Sequence, residues 1–105
     1  MSKFSAMRKE ADKKFGKDPN ESAVASRSLD LLEDWGKMAG CNDGARLSIF
    51  SRWKKKRECA KYIKDGLYKA REEEYGFLGA LLTAVAFQIM VQVIVKWIMT
   101  RFFEE

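Results

Sequence analysis

The chain has 105 residues, with 20 Lys or Arg against 15 Asp or Glu for a net charge of +5; it contains no histidine, two cysteines and one proline. Without His, an evident carboxylate pair or a phosphate-cradling glycine loop, the usual groups for acid–base and nucleophilic chemistry are missing, and two thiols alone cannot close a tetrahedral metal site. The composition therefore argues against an enzyme, a cofactor and a structural metal, and the lack of β-branched alternation outside the C-terminal third argues for an all-α chain.

In residues 1–17, Phe4, Met7, Ala11 and Phe15 recur at spacings of three and four among Lys and Arg. This pattern predicts a basic amphipathic helix ending near Gly16, whose apolar stripe either packs on the next helix or meets an anionic interface. Residues 18–44 open on Asp18-Pro19-Asn20-Glu21, where Asp can cap, Pro suits the first helical position and Glu follows three residues on. Val24, Leu31, Trp35 and Met38 then form an apolar stripe, with Leu32 beside it, and Gly40 can end the helix, so 19–39 is expected to be one amphipathic helix. Cys41-Asn42-Asp43-Gly44 has the composition of a turn at which the chain doubles back, and in a cytoplasmic setting Cys41 and Cys59 stay reduced.

Residues 45–75 predict a long basic helix with a seam of Ile49, Trp53, Ala60, Ile63, Leu67 and Ala70. No proline follows Ala45, so a single rod to the C-terminus is allowed, with Gly66 and Gly76 as hinges. Between Arg46 and Arg71 ten basic residues face only Glu58 and Asp65, a local charge of +8. The densest part, Arg52-Trp53-Lys54-Lys55-Lys56-Arg57, together with Lys61 and Lys64, suits anionic lipid head groups or an acidic protein surface; otherwise it is a solvated face that fixes topology. On an upright rod Lys55 would stand about 30 Å from the bilayer, beyond a Debye length of about 8 Å, so lipid contact requires a bend at Gly66 that lays the helix on the membrane with Trp53 and Phe50 in the interface. No motif for base recognition is present, so sequence-specific nucleic acid is not among the expected partners.

Residues 76–98 carry the strongest hydropathy signal. Gly76 to Val95, GFLGALLTAVAFQIMVQVIV, is uncharged, and as a helix it would be about 30 Å long, the thickness of a bilayer core. Its eleven Leu, Ile, Val and Phe residues favour insertion by about 3–7 kcal/mol. Gln88 and Gln92 oppose that, because hydrocarbon leaves their amides without partners. Tyr75 at one end and Trp97, Phe102 and Phe103 at the other fit interfacial positions, and Lys96 and Arg101 can snorkel. Lys61, Lys64, Lys69 and Arg71 precede the run, against Lys96 and Arg101 after it, which puts the N-terminus on the cytoplasmic side and residues 99–105 on the far side. Gly76, Ala80, Thr83, Ala84, Gln88 and Gln92 form a small and polar surface for packing on other membrane helices or on further copies.

The sequence thus describes a small cytoplasmic helical hairpin whose basic helix leads into one transmembrane helix. The function expected of it is a non-catalytic single-pass membrane anchor or accessory subunit of a larger assembly, docked through its basic helices. The alternatives are a holin-like pore that self-associates through the span and a soluble oligomer with the apolar helix in its core.

Overall fold

A computed structural model describes residues 2–74, 76–78 and 82–104. Among these the chain forms α1 (Lys3–Phe15), α2 (Pro19–Ala39), a 3-10 turn at Gly44–Arg46, α3 (Ile49–Glu73) and α4 (Ala84–Phe103). The Cα radius of gyration, 13.5 Å, is that of a compact body of this length, not of an extended rod.

The first two helices start and stop where local chemistry dictates. Ser2 Oγ accepts the Ser5 N–H to cap α1, whose Met7, Ala11 and Phe15 are buried, so the stripe turns into the bundle. The Asp18 carboxylate accepts the N–H groups of Asn20 and Glu21 at 2.8 and 3.2 Å, and Pro19 occupies the first turn of α2. Gly40 closes α2 with φ +66°, a left-handed conformation that glycine adopts without steric cost. The buried face of α2 runs through Val24, Ala25, Leu29, Leu32 and Trp35, leaving Leu31 half-buried and Met38 exposed, so the expected stripe is rotated about the helix. The buried Ser28 hydroxyl donates to the Val24 carbonyl at 2.6 Å.

α3 begins at Ile49, later than Ala45, because the chain first makes the 3-10 turn and is then capped by Ser48, which accepts the Ser51 N–H. Its buried seam is Cys59, Ile63, Leu67 and Ala70. Ile49 and Trp53 from the expected seam are exposed, while Ala60 is partly buried against the core. The helix passes through Gly66 unbroken, so the expected bend is not there. Gly66 instead admits α2: a Cβ there would lie 2.7 Å from the Leu31 methyl carbons.

The largest departure from the sequence reading concerns the apolar run. Gly76–Leu78 is non-helical, with Gly76 at φ +82°, and α4 starts only at Ala84, where Thr83 Oγ1 accepts the Ala86 N–H. The helix expected from residue 76 therefore begins eight residues later, and it continues to Phe103 through most of the expected tail. The single rod does not form, because α4 folds back antiparallel on α3. Tyr68 and Phe87 meet edge-on at 5.2 Å at one end of the pair, and Lys56 reaches Glu104 at 2.8 Å at the other.

α4 is long and apolar enough to cross a membrane. In this fold it is also a core helix of the bundle, packed on α2 and α3 and touching α1. Phe87, Val91, Ile94, Val95, Ile98, Met99, Phe102 and Phe103 are buried at helical spacing. Trp97 packs edge-on to Phe15, Phe4 stacks on Phe102, and Trp35 meets Phe103, so α4 is keyed to both α1 and α2. Each large apolar side chain fully buried in this way contributes about 1.5–3 kcal/mol relative to exposure. The amphipathic faces of α1, α2 and α3 thus close one core with α4, in which α2 packs on all three other helices.

Candidate membrane-docking face

The burial of Cys59, Ile63, Leu67 and Ala70 fixes how α3 is rotated, and with it what α3 shows to solvent. Phe50, Trp53, Arg57, Lys61, Lys64, Tyr68 and Arg71 follow one another at spacings of three or four residues, which places them on one helix face, and all seven are exposed. The stripe is about 32 Å long, at 1.5 Å per residue. It carries four cations, three aromatic rings and no carboxylate.

The acids of α3 border the stripe: Asp65 lines a crevice with Arg57, Lys61 and Lys64, and Glu58 and Glu72 are exposed beside it. Asp65, Glu73 and Glu74 line the crevice between α3 and α2, where Arg27 and Glu74 form a bidentate ion pair and the Arg27 side chain holds the Glu74 carboxyl below its ordinary range. On the opposite side, the crevice between α3 and α4 is lined by Lys56, Lys64 and Lys96, with Glu104 as its only acid.

The aromatic end of the stripe is solvated to a degree that a core-forming sequence does not require. Ile49 and Phe50 are each 82% exposed and Trp53 is 61% exposed. The Arg57 guanidinium stacks on the Trp53 ring at 5.2 Å, holding a cation and an indole side by side. The outer face of α4 adds Val85, Ile89 and Val93, which are 66, 58 and 52% exposed at four-residue spacing, with Gln88 and Gln92 beside them. A ridge of aliphatic side chains thus lies along the helix that flanks the basic and aromatic stripe.

The residues singled out from the sequence divide into several groups. Trp53, Arg57, Lys61 and Lys64 come together on the stripe, whereas Arg52 turns inward and donates to the carbonyls of Ala45 and Leu47 at 3.0 Å each, tying the 3-10 turn to α3. Lys56 is engaged by Glu104. Lys54 is exposed and Lys55 half-buried on other faces. Thr83, Ala84, Gln88, Gln92 and Lys96 are exposed on α4, and Gly76 sits in the turn before it. Tyr75 and Ala80 lie outside the described residues. Trp97 is half-buried, Phe102 and Phe103 are in the core instead of at a free helix end, and Arg101 is paired with Glu10 of α1.

Sequence reasoning set Phe50 beside Trp53 at an interface but did not join Tyr68 and Arg71 to one face with them and Lys64. The signal was present as the spacing from Phe50 to Arg71, but reading it required the buried side of α3, which the expected seam had placed wrongly in its first half.

Neither cysteine is equipped as a nucleophile. Both are buried, and burial pushes the Cys59 thiol far above its ordinary value and raises Cys41 as well. The face therefore offers charge, aromatic rings and aliphatic surface, a combination that suits adhesion. No family model, curated protein or solved structure matches this chain.

Proposed function

We propose that this protein is a non-catalytic accessory protein of a membrane, docked on an anionic, cytoplasmic-side surface through the exposed face of α3 and the adjoining ridge of α4. The observation that carries this reading is the stripe of four cations and three aromatic rings, with Phe50 and Trp53 held out in solvent. Four stripe cations near an anionic surface contribute about 4 kcal/mol together, and Trp and Phe rings supply the apolar contact that pure charge lacks. No bend at Gly66 is needed, because a bundle lying on its side brings the whole stripe to the surface at once.

The test is co-sedimentation of the full chain with phosphatidylcholine vesicles containing roughly 30 per cent phosphatidylglycerol, compared with phosphatidylcholine alone. The proposal requires binding to the anionic vesicles, release by salt, and loss of binding in Phe50→Ser/Trp53→Ser and in Arg57→Gln/Lys61→Gln. Equal binding to neutral vesicles, or none to either, would refute it. Capture by an acidic protein without vesicle binding would move the docking partner from lipid to protein.

A second reading has its own support in the length and apolarity of α4: the helix leaves the bundle and crosses the bilayer once, with α1–α3 on the cytoplasmic side. It places Lys96 twelve residues into the helix, and it uncovers the apolar faces of α2 and α3 that α4 closes, which other helices of an assembly would then have to cover. Resistance to alkaline carbonate extraction distinguishes a crossing helix from surface docking.

A further inference from the structure

Within the docking face the groove between α3 and α4 is differently built from its surroundings. It encloses about 340 Å³. Its floor is apolar, made by Ala60, Val95 and Met99, and its rim carries Lys64 from one helix and Lys96 from the other. Gln92 and Thr100 add uncharged hydrogen-bonding groups. Lys56 also lines it but is held by Glu104 at 2.8 Å. Among the described residues Lys64 and Lys96 have no ion-pair partner, although both are lysines in a chain with abundant carboxylates.

We infer that this groove is a binding site for the head group of a single anionic phospholipid, whose phosphate is held between the ammonium groups of Lys64 and Lys96 with Gln92 as an additional donor. Three features select that ligand. Two unpaired cations lining one groove from separate helices call for one compact anion, and a phosphate has oxygens enough to accept from both. The groove has no aromatic ring among its lining residues, so it offers a nucleic-acid base nothing to stack on. Its mouth adjoins the exposed Val93 and Ile89 of α4 and, on α3, Arg57 and Lys61 with the single acid Asp65, so a lipid bound there can leave its chains in the bilayer while the aliphatic ridge rests against them. The groove would turn general attraction to negative charge into selection of a particular head group. The inference deepens the membrane-docking reading and rests on it for the source of the ligand.

The experiment is titration of the isotopically labelled full chain by two-dimensional NMR with dihexanoylphosphatidic acid kept monomeric. Dihexanoylphosphatidylcholine and inorganic phosphate serve as the comparison ligands. Saturable shifts centred on Ala60, Gln92 and Lys96 are expected with the phosphatidic acid. In Lys64→Gln/Lys96→Gln the affinity should fall about tenfold or more, because two charge-assisted hydrogen bonds to one phosphate are lost. Both lysines are exposed, so the variant should keep its melting temperature, and Lys69→Gln, on the α2 side of α3, should bind as the parent does. The inference is overturned if shifts do not saturate, if the choline lipid binds equally well, if inorganic phosphate binds as tightly as the lipid, or if the double variant retains full affinity. Because the ligand is monomeric, the two proposals fail separately. Groove binding without vesicle docking removes the membrane reading, and vesicle docking without groove binding removes this one.

Discussion

Phe103→Ala probes whether α4 is the core helix of this chain in water. Phe103 is fully buried at the last turn of α4, edge-on to Phe102 at 5.0 Å and to Trp35 at 5.9 Å. It also fills the space over Gly44, where an added Cβ would lie 2.2 Å from the ring. Truncating a buried Phe to Ala costs about 3–5 kcal/mol, and the loss of two edge-on ring pairs places this site in the upper half of that range. A folded chain of 105 residues is stable by about 5–15 kcal/mol, so about 4 kcal/mol is a large share. At about 4–8 °C per kcal/mol for a domain near this size, the melting temperature should fall by about 15–30 °C. Thermal melting followed by circular dichroism at 222 nm, in buffer without detergent, gives the number. Ile89→Ala, on the exposed side of the same helix, is the control and should change stability by no more than about 0.5 kcal/mol. A fall of less than about 3 °C for Phe103→Ala would refute the packing of α4 on α2 and the 3-10 turn.

Other perturbations separate close packing from titration and reactivity. Gly44→Ala should destabilise by about 1–3 kcal/mol in urea unfolding, because the buried Phe103 ring has nowhere to go. At Gly66 the obstructing atoms are the flexible end of Leu31, and Ala gains about 0.5–1 kcal/mol of helix stability, so Gly66→Ala should be near neutral. Burial alone would raise the Asp43 carboxyl, but the Lys3 ammonium at 2.7 Å, the Ala45 N–H and the Arg46 charge outweigh it and hold the group below its ordinary value. A carboxyl depressed in the folded state contributes stability above its unfolded value, near 4, and loses it as the pH falls through the folded one. Asp43→Asn should therefore flatten the acid side of the stability profile below about pH 4, and an unchanged slope would remove Asp43 from that role. Cys59 should resist a thiol reagent in buffer and react once urea unfolds the chain; rapid labelling of the folded protein would contradict its burial.

Much of the helical order was legible because it is local. The Asp18-Pro19 start and the Gly40 stop of α2 are set by residues within a turn of each boundary, and the Phe4–Phe15 stripe needs only a period of 3.6. The start of the C-terminal helix and the side chains it packs against were not legible, for two physical reasons. Hydropathy measures transfer out of water and is blind to what receives the side chain, so Phe102 and Phe103 scored as interface anchors although Trp35 and Gly44 receive them. The hydrophobic run also opens on Gly76, whose positive φ leaves it outside any helix, and the Thr83 cap that starts α4 lies within the run without altering its apolar character. The docking face was half visible. The basic block from Arg52 to Arg57 was plain, but membership of the face depends on helix rotation, which turns Arg52 toward the Ala45 and Leu47 carbonyls and Arg57 toward solvent.

The central claim, that the bundle lies with its α3 and α4 face on an anionic bilayer, is tested most directly by polarised infrared spectroscopy of the full chain bound to supported bilayers of phosphatidylcholine and phosphatidylglycerol. An amide I dichroism of helices lying in the plane of the membrane is expected. A component aligned with the bilayer normal, of the size that twenty spanning residues would give, would contradict it and place α4 across the membrane.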